Sequence, residues 1–412
     1  MIKFEKFILK NGLKLIVHHD PSTTLVAFNV LYNVGARDEN PEKTGFAHLF
    51  EHLMFEGSIN IPSYDKPLQL VGGENNAYTT NDITNYYITL PKENLETAFW
   101  LESDRMAGLD FSEEKLEIQK NVVIEEFNQR YINQPYGDSS LLLKPLAYKV
   151  HPYQWPTIGK DISHIRDVNL DDVKDFFKHH YAPNNAILSI AGNITLKEIK
   201  PLAEKWFGSI EKKNIALKEI PQEPEQKEAR TQTVERNVPF DAIYKAFHMS
   251  SKLGKDYYVC DLISDLLSNG KSSRLYQNLV KNRNLFSDIN AYVTGDIDAG
   301  LFIITGNLMN LVKMKDAEEA INDELSKIIN GDVNDYEIEK VKNKYESVFQ
   351  FGQVSALNKA MDLAYNELLG DADRINHEIE KYRSVSKEEI QSVASEMFKI
   401  DNSSTLYYLS KK

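Results

Sequence analysis

A single cysteine, Cys260, rules out internal disulfides and any cysteine-rich metal site. It lies in YYVCDLISDLL, an apolar stretch with helical periodicity, and reads as a small core residue. Long hydrophobic runs are also missing: no stretch of ~18 apolar residues occurs, so no membrane-spanning helix is expected. The opening MIKFEKFILKNG breaks every apolar run with charge and has no signal-peptide core. A cytoplasmic location is therefore expected, or a periplasmic one where a leader has been removed. Basic blocks are absent too. Lys and Arg number 48 against 61 Asp and Glu, a formal charge of −13, which argues against nucleic acid as a partner.

What is present is ordinary globular material in a chain of 412 residues, too long for one core, so two domains are expected. FILKNGLKLIVHH reads as two strands around an Asn-Gly turn, and TTLVAFNVLYNVGARDE continues the strand pattern. A helix follows Gly45, then AYTTNDITNYYITLP reads as one strand ending at Pro91. Residues 92–107, 112–131 and 170–180 have helical periodicity, with Ser112 as an N-cap. NNAILSIAGNI is a strand and LKEIKPLAEKWFGSI a helix. Residues 213–231 are charged, proline-containing and poor in large apolar side chains, which marks a linker. Beyond it strands and helices recur in a similar order. The expected division is a first domain over 1–212 and a second over 232–412, a duplicated α+β unit.

The chemistry concentrates in H-L-F-E-H at 48–52. On a helix His48 and His52 share one face at i and i+4, so both imidazoles can reach one ion. Glu51 sits beside them, close enough to act on water without ligating. This is the inverted form of H-E-x-x-H, a zinc peptidase signature. A catalytic zinc site needs a third protein ligand, and NVVIEEF at 121–127 offers one. Val122, Val123 and Glu126 share a helix face, with Glu125 turned about 100° away. If the valines pack inward, Glu126 does too, and a buried carboxylate needs a partner. Glu125 is then a solvated neighbour or a group supporting a ligand. Gly270-Lys271-Ser272 is no phosphate loop, since the glycine required five residues earlier is Asp265. The pairs His18–His19 and His179–His180 lack ligand spacing on a common face.

GFAHLFEHLMFEGS, GGENNAYTTNDITNYY and VVIEE together resemble the M16 (pitrilysin/insulysin, inverzincin) metallopeptidases, most closely the short two-domain branch that includes mitochondrial processing peptidase. The resemblance extends to YAPNNAILSIAGN and SNGKSSRLY and covers most of the chain. It implies two homologous α+β domains, each a mostly antiparallel sheet packed with helices, facing each other around an enclosed cavity. It implies one Zn2+ per chain on His48, His52 and Glu126, the second glutamate of the pair. It also implies peptide substrates laid along a sheet edge at Asn76, Ala77 and Tyr78.

Two departures from the family pattern matter. Where the family carries an acidic residue seven positions before the metal-binding glutamate, this chain has Gln119, which would alter support of the site. Where many members carry an arginine and a tyrosine that grip substrate, this chain has Val280 and Ser287, with Arg283 out of register. The expectation is therefore a zinc endopeptidase working as a heterodimer with a related subunit that supplies the Arg/Tyr pair, with a homodimer as the alternative. A non-catalytic or metal-binding subunit of such a complex is the competing reading.

Overall fold

The computed structural model describes residues 1–215 and 219–411. They form two compact units that are not contiguous in sequence. The first comprises residues 1–127, 155–220 and 349–377, and the second 128–154, 221–348 and 378–412. The first unit is built on a six-stranded sheet of β1 (Glu5–Ile8), β2 (Lys14–His19), β3 (Leu25–Tyr32), β4 (Glu74–Thr79), β5 (Thr84–Pro91) and β6 (Ala186–Gly192). The second holds a five-stranded sheet of β7 (Arg230–Arg236), β8 (Ala242–Ser251), β9 (Phe286–Val293), β10 (Ala299–Leu308) and β11 (Ser403–Ser410).

The two sheets repeat one topology. With β1 set aside, the first runs β2-β6-β3-β5-β4 and the second β7-β11-β8-β10-β9, the same order counted along the chain. In each, the first and last strands in sequence pair parallel and all other neighbours pair antiparallel. The duplicated, mostly antiparallel α+β architecture is thus what the molecule has.

Alternation along β3 divides the first sheet into two faces. Phe28 meets Phe99 of helix Leu95–Ala107, with ring centroids 4.9 Å apart. Ala27 and Leu31 turn the other way, onto Ala360 and Leu363 of helix Ala356–Leu368. That helix lies far along the sequence, yet ion pairs also tie it to this unit. Lys359 Nζ stands 2.5 Å from Asp20 Oδ2, and Glu367 takes Lys6 at 2.7 Å and Lys14 at 3.0 Å. The Lys359 ammonium, with Ser22, holds the Asp20 carboxyl well below the usual carboxylate range. Helix Ser139–Ala147 makes the reciprocal move. It belongs to the second unit, where Leu143 and Ala147 pack with Ala246, Leu406 and Tyr408.

Three local expectations change. The segment read as one strand is a hairpin, β4 and β5, because Thr80 closes a turn. Its Oγ1 accepts from the Asp82 and Ile83 amides, both at 3.1 Å. The stretch 213–231 is no free linker where it is described. Glu223 accepts from the backbone amides of Lys149, Val150 and His151, Gln226 is buried, and β7 already begins at Arg230. Its residues 216–218 lie outside the described residues. Finally, the single cut at that stretch gives way to the interleaved units above. Among the described residues no helix is long and apolar enough to cross a membrane.

Candidate metal centre

The motif helix spans Phe46–Leu53 and is held at its start. Gly45 has φ 92°, and a Cβ there would lie 2.5 Å from the Ile158 carbonyl oxygen, so glycine alone fits. The buried Glu39 carboxylate accepts from the Gly45 and Ala47 amides, each at 2.9 Å, satisfying amides that the helix itself leaves open. Phe46, Leu49, Phe50 and Leu53 are buried, and Phe50 stacks on Tyr181. The helix is therefore fixed in rotation, and His48, Glu51 and His52 take their directions from it.

His48 and His52 stand with ring centroids 4.9 Å apart, at 77° to each other. Helix Glu113–Phe127 brings Glu126 between them. Its Oε2 lies 3.0 Å from His48 Nε2 and 3.5 Å from His52 Nε2. Donors at about 2.0–2.2 Å from one tetrahedral zinc ion stand about 3.3 Å apart, so these separations suit that ion. Two imidazoles and one carboxylate are also the donor types that zinc takes. One ligand atom from each of the three residues lies within 4.8 Å of the others, and no other such group occurs among the described residues. Helix Tyr257–Ser268, at the matching place in the second repeat, has Asp261 and Asp265 at the same spacing but no histidine.

Glu126 reaches the site for a reason only partly foreseen. Val123 is fully buried, but Val122 is 43% exposed, so the inward face runs through Leu116, Gln119, Val123 and Phe127. Glu126 follows Val123 by one turn, while Glu125 is exposed.

Burial works against a charged His48, but the Glu126 and Glu51 carboxylates outweigh it and raise the imidazole to about 9. His48 would hold a metal through Nε2 only in its unprotonated form. Glu51 feels burial pushing its carboxyl up, more than offset by the facing His48 imidazole and a hydrogen bond from Thr79 that hold it below its ordinary value. Its Oε2 is 3.6 Å from His48 Nδ1 and accepts from Thr79 Oγ1 at 2.6 Å.

His52 is oriented from behind. Gln119 Nε2 donates to Glu56, which leaves Gln119 Oε1 facing His52 Nδ1 at 3.2 Å. A carbonyl oxygen can only accept, so Nδ1 carries the hydrogen and Nε2 keeps its lone pair for the site. Gln119, which departs from the family pattern, still supports His52, and Glu56 supplies the negative charge one step further back. Glu56 was missed in the sequence, although it lies four residues after His52. Replacing Gln119 with Leu is expected to weaken zinc binding by about 10-fold or more, measured by competition with a chromogenic chelator.

Asn76, Ala77 and Tyr78 lie on β4, which among the described residues pairs only with β5 and forms one edge of the first sheet. Asn76 and Tyr78 are exposed, while Ala77 and Thr79 point to the opposite face, that of the motif helix. In the second unit Val280 packs against the core, Ser287 is exposed on β9, and Arg283 lies 3.7 Å from Asp323.

Residues 14–147 match the family described as insulinase (peptidase family M16), and residues 167–345 match the peptidase M16 inactive domain. A zinc protease of Helicobacter pylori named PqqE is 30% identical across 98% of this chain and 92% of its own length. The chain belongs to the M16 peptidase family. The crystal structure of a protease from Helicobacter pylori superposes on this M16 chain with a TM-score of 0.93 at 30% identity, covering 99% of this chain and 100% of that one. The β subunit of the mitochondrial-processing peptidase of Saccharomyces cerevisiae is 25% identical over 81% of this chain and 75% of its own.

Proposed function

We propose that this M16 chain is a zinc-dependent endopeptidase that hydrolyses peptides or unfolded segments, with His48, His52 and Glu126 holding the metal and Glu51 as general base. The observation that carries the reading is Glu126 Oε2 standing between two imidazole nitrogens while Glu51 sits beside them, outside the donor group. When bound there, zinc supplies a Lewis acid that polarises the scissile carbonyl and makes water more acidic. Glu51, held ionised, takes the proton from the attacking water and returns it to the leaving amine. The substrate backbone pairs with the open edge of β4 at Asn76, Ala77 and Tyr78. Main-chain pairing admits varied sequences, and side-chain pockets add selectivity.

A second subunit completes the site in this reading. The stretch that in many members grips substrate through arginine and tyrosine has Val280 and Ser287 here, so donors for the developing oxyanion must come from another chain. The subunit status of the yeast relative supports such pairing.

The test is cleavage of an unstructured peptide by the chain purified from its native source, with and without copurifying partner. A strong chelator is expected to remove all activity and added zinc to restore it. Cleavage is expected only when the partner is present. Chelator-resistant cleavage would sink the zinc mechanism, and full activity from the isolated chain would remove the partner. The match of residues 167–345 to an inactive domain favours one other reading, a non-catalytic or metal-binding subunit. Zinc bound without cleavage, partner present, would select it.

A further inference from the structure

Thr79 is the last residue of β4, paired opposite Thr84 of β5, and its side chain points toward the motif helix. Its Oγ1 donates to Glu51 Oε2 at 2.6 Å, a length typical of a hydroxyl bonded to an ionised carboxylate. The same Oε2 faces His48 Nδ1 at 3.6 Å. Among the described residues Glu51 Oε1 has no hydrogen-bond partner, so one oxygen of the carboxylate is occupied and the other is not. Threonine is restricted about χ1, and the paired strand holds its side chain on the face of the motif helix, where the bond to Glu51 selects the hydroxyl direction.

We propose that Thr79 is a positioning residue for Glu51: its hydroxyl holds Oε2 and leaves Oε1 as the oxygen that carries the proton. This rests on the reading of Glu51 as base and goes beyond it. The strand that receives the peptide also aims the base, because the Thr79 hydroxyl and the Asn76–Tyr78 backbone belong to one rigid segment. A peptide laid along β4 stiffens that segment and with it the orientation of the carboxylate. The base is then best placed only when the edge is filled.

Two variants test this, Thr79→Val, which keeps shape and β-propensity but loses the donor, and Thr79→Ser, which keeps the donor. Thr79→Val is expected to lower kcat by about tenfold with KM and zinc content unchanged, and Thr79→Ser to restore it to within about threefold of wild type. Crystal structures of the metal-free chains give a readout independent of activity. Glu51 is expected to leave its wild-type position in Thr79→Val and keep it in Thr79→Ser. Wild-type kcat in Thr79→Val overturns the proposal, as does a loss expressed in KM or in zinc content, which would mean a strand defect. Failure of the wild-type chain to cleave any peptide with its partner present would refute the peptidase reading instead. In that case the crystal structures decide alone, and an unmoved Glu51 in Thr79→Val sinks the positioning role.

Discussion

Replacing Glu51 with Gln is expected to cut peptide cleavage by about 10²- to 10⁴-fold, the usual share of a general base, while zinc stays at one per chain. Gln has nearly the same shape and can still accept the Thr79 hydroxyl, so what is removed is the ability to take and return a proton. Zinc content should hold because Glu51 lies outside the donor group. It faces Nδ1 of His48, whereas Nε2 of the same ring faces Glu126. The measurements are metal analysis of the dialysed protein and turnover of a fluorogenic peptide. Zinc lost in step with activity would mean that Glu51 is a ligand and that the base lies elsewhere.

The two adjacent glutamates should separate as sharply. Glu126→Gln removes the carboxylate whose Oε2 stands 3.0 and 3.5 Å from the two imidazoles. It is expected to lower zinc affinity by more than the roughly 10–100-fold that loss of a supporting group costs. Cleavage should disappear with the metal. Glu125→Gln, one residue away but exposed, should leave zinc content and turnover within about twofold of wild type, as surface changes usually do. Equal effects of the two substitutions would contradict the assignment of Glu126. Unequal effects in the opposite sense would hand the ligand role to Glu125.

Helix geometry explains why part of the site was legible. His48 and His52 share a face because 3.6 residues make a turn, whatever the helix packs on, so five letters carried the pair and Glu51 with it. Glu126 was legible only in part. The reading relied on both valines packing inward, but Val122 is 43% exposed, and the one-turn step from Val123 is what survives. The Gln119–Glu56 relay was not legible. Its hydrogen bond joins residues 63 positions apart, Gln119 on helix Glu113–Phe127 and Glu56 in the bend after the motif helix, and no local period encodes which amide oxygen meets His52. Thr79 closes the NAYT segment at 76–79, yet nothing in a strand pattern tells which hydroxyl faces a carboxylate.

The same division holds for the fold. Alternating apolar residues and turn signals specify strands and helices locally, and their repeated order announced a duplicated α+β chain. Local pattern does not say which sheet an amphipathic helix will cover. Helix Ala356–Leu368 follows the second unit's elements but buries Ala360 and Leu363 on the first unit's sheet, clamped there by Lys359–Asp20. The sequence by itself determined the paired histidines with their glutamate and the repeated order of elements, because each is written in short-range pattern, and its longer motifs carried the resemblance to the M16 family. Only the tertiary structure decided how Glu126, Gln119, Glu56 and Thr79 meet at that helix, and which helix each sheet receives. Those contacts join surfaces far apart in the chain, and packing, not periodicity, selects them.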